Sequence, residues 1–269
     1  MPGDRSSRQT RWAPATVTQL LPLADDATAL LELALLAAWR PRTILSTPDL
    51  PDCVLREHAG LTKRANSLLV LAPKVPARLS AATDWYLRRG MPGLSMLRHD
   101  ASPPPELRPV PVPRVLVMTA QADLVADGES GASSTLTKMP PSSLIRRIAR
   151  RADPGTPSQQ AVDDALALLT SAPVQLFART PGGGHGRLAI TEVAGTAVID
   201  GLFVPPEERR RGAATAMIKA LAGAAHAHGA STVALEVEED NAPAVTCYRR
   251  LGFSTVHSHR YFTPEPRRP

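Results

Sequence analysis

Residues 207–221 read EERRRGAATAMIKAL. Three arginines, Arg209, Arg210 and Arg211, run into Gly212, then into Ala213, Ala214 and Thr215, and then into a segment with helical apolar spacing. The charge is in the wrong place for an ordinary helix. A helix N-terminus already carries partial positive charge, so cations there are unfavourable unless an anion is close by. One reading is a solvated basic turn. The other is a seat for a strong anion. A glycine at the helix entry lets a ligand approach the backbone, and the free N–H groups of the first turn point outward to meet it. Alanines at 213 and 214 keep that approach open, and the arginines would flank a pyrophosphate. An R-x-x-G-x-A alone is a common pattern, and the spacings of a P-loop or a dinucleotide fingerprint are absent. The glycine-richer PGGGHG at 181–186 lies inside a hairpin with no helix after it and reads as a turn.

The chain has 269 residues, 43% of them hydrophobic, which suffices for one large or two ordinary domains with a buried core. Its formal charge is +6, carried almost wholly by arginine, since the only lysines are Lys63, Lys74, Lys138 and Lys219. A nucleic-acid reader would interleave aromatics with its basic patch. None lie near 146–151 or 209–211, so the charge points to small anionic ligands and no nucleic-acid partner is expected. Cys53 and Cys247 share no metal-ligand spacing and read as reduced, cytoplasmic thiols. The leucine-rich stretch 20–39 contains Asp25, Asp26 and Glu32, too many charges for a signal sequence or membrane span. It reads as one amphipathic helix ending before Pro41.

Along the chain, residues 1–14 are polar and expected to be disordered. CVLREHAG and NSLLVLAP read as strands either side of a polar, basic turn, LTKR. A helix follows over 77–89, with Gly90 as its stop. LSMLRH and RVLVMTA are strands separated by a proline-rich loop at 101–113. QADLVADGESGASS reads as an interdomain linker. The expected organisation is a first lobe at 15–124, a linker at 125–132 and a second lobe at 133–265. In the second lobe TLTKM and VQLFART are strands, SSLIRRIARR and SQQAVDDALALL are helices, and RLAITEV and TAVIDGLFV form a hairpin across Ala194 and Gly195. The helix opened by Gly212 stops at Gly229. STVALEV is a strand, NAPAVTCYRRLG a short helix, and FSTVHSHRYF two final strand pieces.

The run LFVPPEERRRGAATAMIKALAGAAHAHGASTVALEVEEDNAPAVTCYRRLGF, residues 202–253, resembles the acyl-CoA-binding core of the GNAT superfamily of N-acyltransferases. The resemblance rests on Arg209-x-x-Gly212-x-Ala214, on Asn241-x-x-Ala244-x-x-x-Tyr248, and on Gly252-Phe253, in that order. It implies an α/β (α+β) fold with a mixed, mostly antiparallel sheet flanked by helices. It also implies acetyl-CoA as co-substrate, no metal, and an amine as acceptor. The backbone of Leu202, Phe203 and Val204 would pair with the pantetheine arm. The segment from Arg209 through Arg210, Arg211, Gly212, Ala213 and Ala214 to Thr215 would hold the pyrophosphate. Asn241, a good helix cap, would also touch the pantetheine. Tyr248 would be the general acid that protonates the leaving thiolate. The first half resembles the degenerate N-terminal lobe of actinobacterial two-lobed members. It lacks the R-x-x-G-x-A loop and is expected to shape the acceptor site. TKRANS within it could bind an anion or form a polar turn.

The general base is harder to place. Where some members carry a strand carboxylate, this chain has Val198. Asp200 should share the face of Val198, and Glu236 and Glu238 share a face on the next strand; these three are the base candidates. His226 and His228 are two apart on a helix and do not share a face. His257 and His259 alternate on a strand without a spaced carboxylate or thiol, so metal binding is not expected, although either could line the acceptor site. Cys247 reads as a buried helix cysteine. Two functional classes stay open here: a transferase moving an acetyl group directly to a primary amine of a small molecule or protein, and a non-catalytic acyl-CoA sensor or structural pseudoenzyme. A monomer or homodimer is compatible with either, and no membrane partner is expected.

Overall fold

The computed structural model describes residues 10–76, 79–127 and 131–265. Residues 1–9 of the expected tail, 77–78 of the expected third-segment helix and 128–130 of the expected linker lie outside them. In the first half the order is β1 (Ala13–Pro14), α1 (Val17–Leu20), α2 (Ala27–Ala38), β2 (Thr43–Ser46), β3 (Cys53–Glu57), β4 (Leu68–Val70), α3 (Ser80–Leu87), β5 (Ser95–Arg98), β6 (Leu107–Pro109), β7 (Val115–Gln121) and α4 (Ala122–Ala126). The second half adds β8 (Thr135–Thr137), α5 (Ser142–Ala149), α6 (Gln159–Leu169), β9 (Val174–Arg179), β10 (His185–Ile190), β11 (Thr196–Phe203), α7 (Ala213–Ala227), β12 (Thr232–Glu238), α8 (Ala242–Arg250) and β13 (Ser254–Pro264).

Twelve of the strands run β1-β2-β3-β4-β5-β13-β7-β12-β11-β10-β9-β8 across one mixed sheet, and β6 pairs with β13 off that path. Two pairs are parallel, β4 with β5 and β11 with β12, and each is bridged by a helix, α3 or α7. The other pairs are antiparallel. The two halves therefore repeat one pattern: an antiparallel pair, a crossover helix, and a parallel pair. They also exchange strands. β7, the last strand of the first half, lies between β12 and β13. β13, the last strand of the second, lies between β7 and β5.

Alternation along the strands divides the core between two faces. Val198, Ala234 and Val117 face α2, α5 and α6, whereas Ala197, Ile199, Leu235 and Met118 face α4, α7 and α8. α2 packs beneath both halves, with Leu31, Leu35 and Ala38 in one apolar cluster and Leu33, Leu36 and Ala37 in another. It is thus buried nearly all round rather than amphipathic. The stretch 20–39 is not one helix either. Pro22 sits in a short 3-10 turn, and Asp26 caps α2 by accepting from the Ala29 N–H at 2.6 Å.

Other expectations are corrected by long-range pairing. Ala13 and Pro14 are held as β1 against β2. The proline-rich loop contains β6, paired with the end of β13. The first residues of the expected linker form α4, whose Val125 is buried against α7. The final strand pieces are one strand, β13, irregular between Thr255 and His257. Ala194 and Gly195 both adopt left-handed conformations, which suits the two-residue turn of the β10–β11 hairpin.

The strand exchange makes the halves mutually dependent. A fragment ending at residue 124 would leave β5 without β13 and β7 without both β12 and β13, exposing three strand edges. The expected outcomes are an unstructured or aggregating fragment by circular dichroism and, for the full chain, a single denaturant transition common to far-ultraviolet and tryptophan signals. A folded, monomeric fragment would contradict this reading.

Candidate active site

β11 and β12 are in register only over Thr196–Thr232, Ala197–Val233 and Val198–Ala234. Beyond that point β11 stays with β10 as far as Phe203, and β12 stays with β7 as far as Glu238. The two strands part, and α7 and α8 fill one side of the opening. Within it β11 bulges, since Arg187 pairs with Asp200 but His185 pairs with Phe203. Gly201 takes φ +63, a left-handed conformation favouring glycine, and a Cβ there would sit 3.3 Å from Leu144. The extra residue reverses the alternation. Asp200 lines a cavity on the α2–α5 side, whereas Leu202 and Val204 pack toward α7. Arg147 holds the bulge, donating to the Gly201 carbonyl at 2.7 Å with its guanidinium 5.3 Å from the Phe203 ring centroid.

The first cavity, about 650 Å³, brings together Leu202, Phe203, Val204, Arg209, Arg210, Gly212, Ala213, Ala214, Thr215, Asn241 and Tyr248. Arg211 is not in its wall; it points to Glu208 at 3.6 Å. Gly212 enters α7 at φ +82 and Arg210 lies at φ +61, so the loop turns through two left-handed residues to aim the first turn. Ala213, Ala214 and Thr215, whose N–H groups lack acceptors within the helix, line the cavity. Asn241 caps α8, its Oδ1 accepting from the Ala244 N–H at 3.3 Å. Tyr248 is buried against Phe253, their ring centroids 6.0 Å apart. Burial, with a smaller effect of Cys247, pushes its phenol up to about 12, so the hydroxyl keeps its proton near neutrality. Cys247 is half-buried in the same wall, 3.9 Å from the Thr215 hydroxyl, rather than in the core. Glu208, Pro243 and Cys247 are wall residues that the motif pattern did not single out, and Ala244 of the motif joins them. Its wall combines arginines and the first turn of α7 with apolar and aromatic side chains.

The second cavity, about 560 Å³, lies across β11 and is lined by Asp200, Glu236 and Glu238, together with Arg64, His259 and Tyr261. All three base candidates therefore meet in one place, but in different states. Glu236 is engaged by Arg64, which donates to both carboxylate oxygens. Glu238 is exposed. Asp200 Oδ2 accepts from Arg187 at 2.7 Å, and Oδ1 is buried without a partner among the described residues. Burial raises Asp200 to about 6, against the lowering effect of Arg187. Val198 is buried in the apolar cluster under α5.

Behind this wall the first half contributes a buried ionic cluster. Arg64 also meets Glu32 at 3.0 Å, and His257 lies 3.2 Å from Glu32. The expected polar turn around Arg64 is instead folded inward. Asn66 accepts from the His58 and Gly60 N–H groups, and Arg64 bridges two carboxylates. His257 and His259 both face Glu32; burial keeps them neutral, His259 pushed down to about 3. No group of three or more metal-ligand side chains is assembled among the described residues. No helix among them is long and apolar enough to cross a membrane.

An opened parallel pair, a glycine-led helix at the opening and a tyrosine-bearing helix beside it define a GNAT N-acetyltransferase. Residues 35–262 match the family described as "Probable histone acetyltransferase Rv0428c C-terminal", and the chain belongs to that family. A curated relative, the "Uncharacterized N-acetyltransferase YobR" of Bacillus subtilis, is 26% identical over 236 residues, spanning 77% of this chain and 88% of that protein. Among solved structures, a GCN5-related N-acetyltransferase from Kribbella flavida superposes with a TM-score of 0.60 at 16% identity, covering 90% of this chain and 97% of its own. A tandem GNAT protein from the clavulanic acid biosynthesis pathway superposes at 0.56 and 13% identity, covering 96% and 99%. The two-lobed architecture is shared with that tandem protein.

Gly212→Leu tests the helix entry. The added side chain has space, since a Cβ would meet only Ala132 at 3.7 Å, but φ +82 is strained for leucine. A modest fall in Tm is expected, on the order of 1 kcal/mol of stability. Acetyl-CoA is expected to raise the Tm of the unaltered protein through linkage and to leave that of the variant unchanged. An undiminished rise would remove this loop from the ligand site.

Proposed function

We propose that the protein transfers an acetyl group from acetyl-CoA directly to a primary amine in a ternary complex. The observation that carries this reading is the pair of cavities flanking one strand: β11 supplies Leu202, Phe203 and Val204 to one and Asp200 to the other. Acetyl-CoA brings the activated acyl thioester. Arg209, Arg210 and the first-turn N–H groups after Gly212 would hold its pyrophosphate. The β11 backbone beyond Gly201 and Asn241 would hold its pantetheine.

The acceptor would enter the second cavity as an ammonium and must lose a proton before its nitrogen can attack. Asp200 is the best placed of the three candidate carboxylates to take it. It lines the cavity with Oδ1 unpartnered, and its raised pKa leaves it ionised yet basic at neutral pH. Glu236 is already committed to Arg64. As the carbon–sulfur bond breaks, Tyr248 gives its phenolic proton to the departing thiolate. The family's description names a histone, whose lysine side chain is a primary amine, and a small amine offers the same nucleophile.

Tyr248→Phe removes one hydroxyl and keeps the ring packing. Turnover should fall by about a hundredfold to ten-thousandfold, with acetyl-CoA affinity nearly unchanged. Full activity would make Tyr248 a packing residue, and lost CoA binding would make it part of the cofactor cradle.

Asp200 predicts the acid limb of the pH profile. Its ionised form is the active one, so kcat/KM should rise with pH and level off above about 6. Asp200→Asn, which keeps an acceptor for Arg187, should lower kcat by about a hundredfold or more and flatten that limb. An unchanged limb in the variant would assign it to another group.

A further inference from the structure

We propose that the acceptor amine carries a second, anionic group, a carboxylate or a phosphate, which Lys63 and Arg151 bind at the wall of the second cavity. The proposal rests on the reading of that cavity as the acceptor site and specifies its ligand. Six charged side chains line the cavity: Asp200, Glu236, Glu238, Lys63, Arg64 and Arg151. The protein itself satisfies some of them. Arg64 is shared between Glu32 and Glu236 and has no charge to spare for a ligand; the three groups together keep one net negative charge, with both Glu236 oxygens already accepting from Arg64.

Two negative positions remain. Asp200 is paired with Arg187 through Oδ2 but its Oδ1 is buried without a partner among the described residues, and exposed Glu238 has no ion pair among them. They suit an ammonium. Two positive positions also remain. Exposed Lys63 has no carboxylate partner among the described residues, and its ammonium lies 5.8 Å from the centroid of the Tyr261 ring. Exposed Arg151, at the end of α5, likewise has no ion pair there. It stands one turn beyond Arg147, which is itself committed to the Gly201 carbonyl.

A simple alkylamine would meet only the negative pair and leave two cations facing it. A polycationic peptide would do worse, because it would meet those cations on a chain whose net charge is +6. A compact molecule bearing an ammonium and an anion meets both pairs at once. Arginine and lysine are also the side chains suited to carboxylate and phosphate, through charge-assisted hydrogen bonds.

Matched acceptor pairs test this: tyrosine against tyramine and histidine against histamine for the carboxylate, and phosphoethanolamine against ethanolamine for the phosphate. A lysine-rich peptide is the polycation. Rates of thiol release give kcat/KM, and calorimetric titration into the CoA-saturated protein gives affinity without turnover. The anionic member of at least one pair should win by about tenfold or more, the scale of one or two charged hydrogen bonds. In a Lys63→Met, Arg151→Met double variant that ratio should fall toward one. The ratio within a pair cancels any general effect of the substitutions on folding or on the donor side. Ratios near or below one in every pair, a peptide that outperforms all small amines, or a preference unchanged in the double variant would each overturn the proposal. So would the absence of binding by every anionic member. Selective binding without turnover would uphold this ligand chemistry and count instead against the transferase reading.

Discussion

Three ladder pairs join β11 to β12, and then the strands separate. Everything chemical in the molecule follows from that parting. A strand inside a sheet ordinarily spends its N–H and C=O groups on both neighbours. Past Val198 the β12-facing groups of β11 lose theirs, and buried backbone polar groups require a partner. An extended amide-bearing arm is a natural one. The same opening lets α7 present its first turn beside β11 and lets α8 bring Tyr248 alongside. The bulge at Gly201 then divides the strand's side chains between two cavities. Without it, Leu202 would continue on the face of Asp200.

The acidic wall is maintained from the other half of the chain. Arg64 crosses from the first half to Glu236 on β12, and Glu32 on α2 closes the network. Arg187 secures Asp200 while also donating to the carbonyls of Leu169 and Ala38. Buried ion pairs such as these are weak contributors to net stability, because desolvation offsets much of their attraction. Their evident effect is positional. Each fixes a carboxylate that would otherwise repel its neighbour, and Asp200 is left with one oxygen free. The degenerate lobe has no glycine-led, arginine-flanked helix entry of its own, yet it furnishes one side of the second cavity.

The exchange of β7 and β13 explains why the halves cannot be parsed as beads on a string. Each half contains its own antiparallel pair and crossover, which local patterning encodes. Each then needs the other's last strand to finish its sheet. The apolar character of α2 on nearly every side has the same origin. It lies beneath both halves and has little solvent-facing surface.

Local chemistry was sufficient for several elements. Gly212 after three arginines marks a helix entry that tolerates close approach. Asn241 before Ala242 and Pro243 marks a capped helix, and alternation places Asp200 with Val198 and Glu236 with Glu238. These are short-range properties of backbone and side chain, so they survive without tertiary context. Other features were not legible because they depend on partners far away in the chain. Arg64 in a polar-looking turn is buried only because Glu32 and Glu236 arrive from elsewhere. Pro109 belongs to a strand only because the end of β13 passes beside it, and residues 122–126 are helical where α7 offers an apolar surface. Which carboxylate keeps a free oxygen was likewise a tertiary matter. The sequence presents Asp200, Glu236 and Glu238 as equals, and the arginines that distinguish them lie 13 residues from Asp200 and 172 from Glu236. Periodicity and caps are written in neighbouring residues, whereas the charge state of a buried group is set by whatever the fold packs around it.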